Sequence, residues 1–408
     1  MPASRMIARL SLAATLLLAL GGAQADDGYP DITLGGLLDL RVARSDDTAS
    51  WLDHGLGKTR YGDGRVLGRV AEAALLLNAH LNWSTSGQLY IKYDADQHHP
   101  LDIVEGFIDY HPVSTAAYRF TGRAGAFFPP ISLENTGPAW TSPYSITPSA
   151  INTWIGEELR TLGGEGTLHW LGDGQRASAS LAAFRANDPA GSLIAWRGWA
   201  LHDFKSGLHD RMPLADAEFL SDFPLQAPWV EPFREIDGRW GYYGALSYQR
   251  PGDYTLRALR YDNRADPSAV NDTQWAWHTR FSSFGAHFQL PGDIDLIGQY
   301  LQGDTYMVGR HAVVDADFSS WYLLLSKRLD RQRFTLRYDL FDVQDNSSAE
   351  YNDHGHAWTL SYALEVNAGQ RLMLELLAID STHPQRGDLG LPASARENLL
   401  QASYRFYF

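Results

Sequence analysis

Arg119 and Arg123 lead into a stretch that carries Glu134, Asn135, Glu157 and Glu158. Opposite charges facing one another across a water-filled opening impose a transverse field, which sorts ions and dipolar solutes without any covalent step. Further charges recur on alternate residues of other segments: Arg41, Arg333, Arg337, Asp339, Arg371 and Arg405. Signals for covalent or metal chemistry are weaker. Gly55-Leu-Gly-Lys-Thr59 has the tail of a phosphate-binding loop, but Leu52 stands where the first glycine is needed. His98-His99 and Asp353-His354-Gly355-His356 offer metal-ligand side chains, with no third ligand fixed by spacing. Serines, histidines and acids are plentiful, yet no spacing isolates a triad, which is a matter of geometry rather than order. The chain has no cysteine, so disulfides, thiolate metal sites and cysteine nucleophiles are excluded. The expectation is a non-enzyme with no catalytic residue, metal or cofactor.

The elements that would position these charges are set by the two ends of the chain. Arg5 and Arg9 precede an apolar run from Leu10 to Leu20, and Ala23-Gln24-Ala25 is a small-x-small cleavage site. The run is too short for a membrane helix, which needs about 20 residues. Residues 1–25 therefore read as a cleaved secretory signal, and 26–408 as one domain. Two arginines and no acid leave with the signal, so a formal net charge of −14 becomes −16. That acidic balance argues against a nucleic-acid partner. At the other end, Leu400, Ala402, Tyr404, Phe406 and Phe408 alternate with Gln401, Ser403 and Arg405. Period-two alternation is the mark of a strand with one apolar and one polar face.

The same alternation recurs through Arg69–Trp83, Arg333–Val343, Trp358–Glu365 and Arg371–Ala378. Each is about the 9–11 residues that a tilted strand needs to cross a bilayer. Short turns fall near 84–87, 112–117, 172–175, 251–253, 291–293, 329–332 and 367–370. They alternate with longer polar segments at 45–65, 97–102, 129–158, 188–237, 262–274, 303–317, 344–356 and 381–396. Seven turns and eight loops separate 16 strands, a count held to within two because 176–187 and 253–262 have ambiguous parity. With 13 Trp, 20 Tyr and 17 Phe but a mean hydropathy of −0.29, the chain is both aromatic and polar. A transmembrane β-barrel reconciles the two, because its lipid and lumen faces cancel in the mean. Trp83, Tyr93, Tyr110, Trp170, Trp275, Trp321 and Trp358 are expected in the interfacial girdles. The fold expected is an all-β, antiparallel transmembrane barrel with short periplasmic turns and long extracellular loops.

The run Arg123-Ala-Gly-Ala-Phe-Phe-Pro-Pro-Ile-Ser-Leu-Glu-Asn135, followed by Ile155-Gly-Glu-Glu-Leu-Arg160, resembles the constriction-loop region of the phosphate-selective porin O/P superfamily. The resemblance implies a 16-stranded trimeric porin whose third long loop dips into each channel, and a terminal Phe408 that meets the barrel-assembly machinery. Those porins bind phosphate through arginine ladders and a lysine cluster. No single-sign ladder is present here, so phosphate selectivity is not implied.

The resulting expectation is passive diffusion of small hydrophilic solutes or ions, narrowed by an inward loop at 129–158. The ring would be drawn from Arg41, Arg119, Arg123, Glu134, Asn135, Glu157, Glu158, Arg333, Arg337, Asp339, Arg371 and Arg405. Partners would be outer-membrane lipid, lipopolysaccharide and further copies in a homotrimer, in the bacterial outer membrane. The alternatives are a non-conducting barrel acting as adhesin, receptor or anchor, and a rim hydrolase. The 188–237 loop, apolar over Gly191–Gly207, would plug the vestibule, bind a ligand, clasp a neighbour or cap the mouth.

Overall fold

The computed structural model describes residues 28–216, 223–271, 273–310, 312–347 and 351–408. The expected signal at 1–25 lies outside the described residues. Strands β1 (Asp31–Ser45), β2 (Val66–Asn82), β3 (Thr85–Tyr93), β4 (Leu101–Tyr110) and β5 (Tyr118–Phe127) come first. Then follow β6 (Thr161–Gly172), β7 (Gln175–Arg185), β8 (Gly241–Arg250), β9 (Tyr254–Asp262) and β10 (His278–Leu290). The series ends with β11 (Ile294–Val308), β12 (Val313–Leu329), β13 (Gln332–Asp345), β14 (Asp353–Asn367), β15 (Gln370–Thr382) and β16 (Ser394–Tyr407). Each pairs antiparallel with its neighbours in sequence, and β1 pairs with β16 from Leu37↔Tyr407 to Ser45↔Leu399. The sheet is a closed barrel with no edge.

Side-chain alternation explains which face meets what. Leu323, Leu325, Leu336, Leu360, Leu374, Leu376 and Leu400 are exposed on the outer surface, whereas Leu324, Thr335, Ser361, Met373 and Gln401 on the other parity are buried inside. So much exposed leucine is stable only against hydrocarbon, where a closed ladder also leaves no strand amide unpaired. Trp321, Tyr338 and Trp358 form an outer aromatic row, with ring centroids 5.5 and 4.7 Å apart.

Three local readings change. A bulge at Asp39/Leu40 pairs Asp39 with Glu72 and Leu40 with Val70, so Ala71 turns inward with Glu72 instead of joining Ala73 on the lipid face. Trp275 is buried in a two-stranded ribbon with Val270, not in a girdle. The 303–317 segment is mostly strand, and its connection spans only 309–312. Asp304, Asp315 and Asp317 stand beyond the aromatic row on the water side, where a barrel strand no longer needs an apolar face.

At the seam, Gly36 and Phe408 exchange backbone bonds of 3.0 and 3.3 Å. The Phe408 ring occupies the space of a residue-36 side chain, its Cζ 2.3 Å from where a Cβ would stand. Glycine is what lets the last residue lie against the first strand.

Candidate functional site

The lumen is filled at mid-height by loops. Residues 128–160 leave β5, cross the interior and return at β6. Pro129, Pro130, Pro138, Pro143 and Pro148 lack the amide that a continuing strand would use. Helix α1 (Ala150–Glu158) begins at Ser149, whose side chain accepts from the Asn152 amide. The wall holds the crossing through its backbone. Glu375 accepts the Ile146 and Thr147 amides at 2.6 and 3.0 Å, and Asp339 accepts that of Ala150 at 3.2 Å. Arg337 donates to the carbonyls of Thr147 and Pro148 at 2.8 and 2.9 Å, and Arg257 to that of Ser132 at 2.7 Å.

A second loop enters from above. Helix α2 (Ser192–Arg197) starts at Gly191, where φ is 95° and a Cβ would sit 2.4 Å from the hydroxyls of Thr279 and Thr305 on the wall. Glu158 accepts the Gly191 and Leu193 amides and the Ser192 hydroxyl, all at 3.0 Å, and the Trp154 indole at 2.5 Å. Glu157 takes Arg197 in a bidentate pair at 2.8 and 2.6 Å, and His202 at 2.8 Å. Above them Trp154 packs edge-on against Trp199, Phe281 and Phe318. The inward Phe281 and Phe318 make this side of the wall apolar, an unusual lining for an aqueous tube. A third loop, 46–65, also folds in: Trp51 lies 4.5 Å from the His202 ring and Lys58 pairs with Asp353 at 2.7 Å. Burial pushes Lys58 down to about 8 despite that partner.

On the opposite wall the lumen holds three spaces of decreasing size with mixed polar and apolar linings. A vestibule of about 590 Å³ opens beside His80, Asp109, Arg123, Glu165 and Arg257. Higher on β2, a cavity of about 260 Å³ lies beside Asn78, Gln88, Tyr90 and Glu105. At mid-height a pocket of about 10 Å³ remains beside Asp39, Glu72, Asn135, Lys205 and Arg405. That last space is about the size that holds one water. Asp203 and Lys205 close it: Asp203 lies 2.7 Å from Arg41 and 3.5 Å from Arg60, and Lys205 lies 2.6 Å from Glu72. Behind them Arg60 pairs with Asp94 and with Asp96, Lys92 lies 3.5 Å from Asp94, and Arg405 and Arg41 hold Asp39 at 2.9 and 2.8 Å.

The residues named from sequence divide accordingly. Arg41 and Arg405 meet at the slot, with Asn135 beside it. Arg337 and Asp339 pair at 2.7 Å, with Glu134 3.4 Å away, as wall-to-loop anchors. Glu134, Glu157 and Glu158 are fully buried, Glu157 and Glu158 engaged by loop groups and Glu134 by both loop groups and Arg337 of the wall. Arg123 (with Asp109), Arg119, Arg333 (with Asp295) and Arg371 (with Glu365) lie below the slot, towards the periplasmic turns. The slot's other half, Arg60, Asp203 and Lys205, escaped notice because it comes from loops. The candidate metal set at 353–356 is split, since Asp353 points inward to Lys58 while His354 is exposed. Among the described residues Asp188, Glu235 and Asp237 converge, but Asp188 already accepts two amides, from Ile236 and Asp237.

The loop ion pairs give the plug a pH dependence. Burial opposes charge on Glu157 and Asp203, yet Arg197 and His202 hold Glu157 down to about 2, and Arg41 and Arg60 hold Asp203 well below the usual carboxylate range. Both folded values lie below the unfolded ones, so their contribution is complete above the unfolded pKa of about 4–4.5 and is lost as pH falls through the folded values. Acidification from about pH 5 to about pH 2 is expected to undock the loops and red-shift the tryptophan fluorescence. A spectrum unchanged across that range would remove the ion pairs as the fastening.

A closed 16-strand antiparallel sheet with a lipid-facing apolar belt defines a transmembrane β-barrel of the outer-membrane kind. The solved structures it resembles have that fold. DcaP, an outer-membrane channel of Acinetobacter baumannii, aligns over 95% of this chain and 99% of its own, with a TM-score of 0.56 and 9% identity. An anion-selective porin from Comamonas acidovorans aligns over 93% and 100%, with a TM-score of 0.53 and 12% identity. Salmonella typhi OmpF, in complex with daunomycin, aligns over 94% and 99%, with a TM-score of 0.52 and 10% identity. No family model and no curated protein sequence matches the chain.

Proposed function

We propose that this barrel is a channel for small hydrophilic solutes whose resting state is closed at mid-height. The observation that carries the reading is a series of three lumen spaces along β2, of about 590, 260 and 10 Å³, the smallest bordered by charges of both signs. An inert barrel has no need of charges of both signs gathered around its narrowest lumen space. Selectivity in a channel follows the charge at the narrowest ring. Here that ring has nearly equal numbers of cations and anions, which favours dipolar over singly charged solutes and gives phosphate no special place. The resemblance of 123–135 and 155–160 to the constriction-loop region of a trimeric porin superfamily supports a homotrimer.

The Trp154–Trp199 packing favours the second reading, a non-conducting barrel that serves as receptor or anchor. Planar-bilayer recordings separate the two. The native protein is expected to give small, infrequent steps, and the Asp203→Ala, Lys205→Ala double variant frequent larger ones. Silence from both, with the barrel folded by circular dichroism, would sink the channel. The reading includes no catalysis and no cofactor.

A further inference from the structure

The segment that closes the slot has the chemistry of a bound ligand. Asp203, Phe204 and Lys205 present a carboxylate, an aromatic ring and an ammonium in succession. Each meets a complementary group that belongs to another part of the chain. Asp203 lies 2.7 Å from Arg41 on β1 and 3.5 Å from Arg60. Lys205 lies 2.6 Å from Glu72 on β2, whose other oxygen accepts the Tyr90 hydroxyl at 2.5 Å. Phe204 stacks its face under two cations, 4.4 Å from Lys92 and 5.5 Å from Arg60, and turns its edge to Trp51 at 5.5 Å. The carbonyl that ends the tripeptide is bound as well, since Lys92 donates to that of Lys205.

A cation pair, a cationic shelf for a ring, a carbonyl donor and a carboxylate therefore stand in order around one tripeptide. Buried charges are costly unless paired. A wall built only to be plugged would be more stable apolar, as it is on the Phe281–Phe318 side. We propose that Asp203-Phe204-Lys205 is a tethered stand-in for the solute, and that the slot is a binding site for short peptides with an acidic, an aromatic and a basic residue in succession. The inference rests on the channel reading and names the class of solute for it. Arrival of such a peptide displaces the segment and releases the constriction.

The test is binding to the full-length protein in detergent, with end-blocked, dye-labelled Asp-Phe-Lys read by fluorescence anisotropy. The native protein is expected to bind weakly, because its own segment competes. The Asp203→Ala, Phe204→Ala, Lys205→Ala variant, which vacates all three places, is expected to bind about tenfold or more tightly, a difference of about 1.4 kcal/mol per decade. Blocked Asn-Phe-Gln should not bind, and adding Arg41→Gln to the vacated protein should abolish the preference for Asp-Phe-Lys. Equal binding of charged and neutral peptides, or no binding to a vacated protein that remains a folded barrel, would overturn the proposal. If the vacated protein does not fold, Glu72→Gln alone replaces it, with a gain for peptides ending in Gln expected and no change overturning. Binding is read without a membrane, so peptide bound without conductance refutes only the channel, and conductance without peptide refutes only the site.

Discussion

Replacing residues 192–206 by a Gly/Ser linker of equal length is expected to raise single-channel conductance by about an order of magnitude, because 16 strands enclose an aqueous channel and the 128–160 crossing and 46–65 loop leave part of it free once this segment is gone. The replaced segment contains Leu193, Ile194, Trp196, Trp199 and Phe204, none more than 2% exposed. At about 1.5–3 kcal/mol for each fully buried large apolar side chain, these five hold the plug in place with on the order of 10 kcal/mol. The linker contributes none of this and behaves as a flexible coil. The barrel itself should survive, since its ladders close strand to strand and the segment's bonds to the wall, such as Trp199 to the Asp342 carbonyl and to Asp353, lie outside them. Wetting of Phe281 and Phe318 is the cost, and it falls on the lumen, not on the closure of the sheet. Conductance equal to that of the native protein would mean that the plug lies outside the limiting constriction.

Arg197→Met is expected to undock the same segment with a single change. Arg197 is the bidentate partner of Glu157, and both are buried. Removing one member of a buried pair leaves the other charged and unmatched, at about 3–5 kcal/mol. His202, 2.8 Å from Glu157, offsets part of that only if it takes a proton. Arg197→Met should therefore raise the open fraction strongly, and adding Glu157→Gln should reverse much of the gain, because the stranded charge is then gone. The coupling in that double-mutant cycle measures the latch. Additive effects of the two substitutions would show that Glu157 and Arg197 act separately.

The barrel was readable because a strand with lipid on one side and water on the other must alternate, as 333–343 and 398–408 do. Loop segments such as 303–317 were overextended, since polar residues outside the bilayer break the alternation without breaking the strand. The crossing at 129–158 was visible as proline-rich and too apolar to be free in solvent. Its acids take partners that no local pattern names. Glu157 and Glu158 are adjacent on a helix and so point to different neighbours, Arg197 and the start of α2, neither of which is near in sequence. The slot is half legible: Arg41 and Arg405 follow from strand parity, whereas Asp203 and Lys205 meet the wall 162 and 133 residues away. No local pattern encodes where a loop ends up inside a tube. Only the unusual apolar content of Gly191–Gly207 hinted that this loop had somewhere dry to go.

The pairing of β1 with β16 has a consequence for how the molecule is made. Asp39 and Arg405, bonded at 2.9 Å across that seam, are 366 residues apart. Until β16 is in place, β1 and the latest strand both present unpaired amides and carbonyls, which in hydrocarbon cost several kcal/mol each and in water invite aggregation. No intermediate with fewer strands is a smaller finished barrel. Pairing β1 with β16 therefore removes both remaining edges in one step, and no earlier strand can do so.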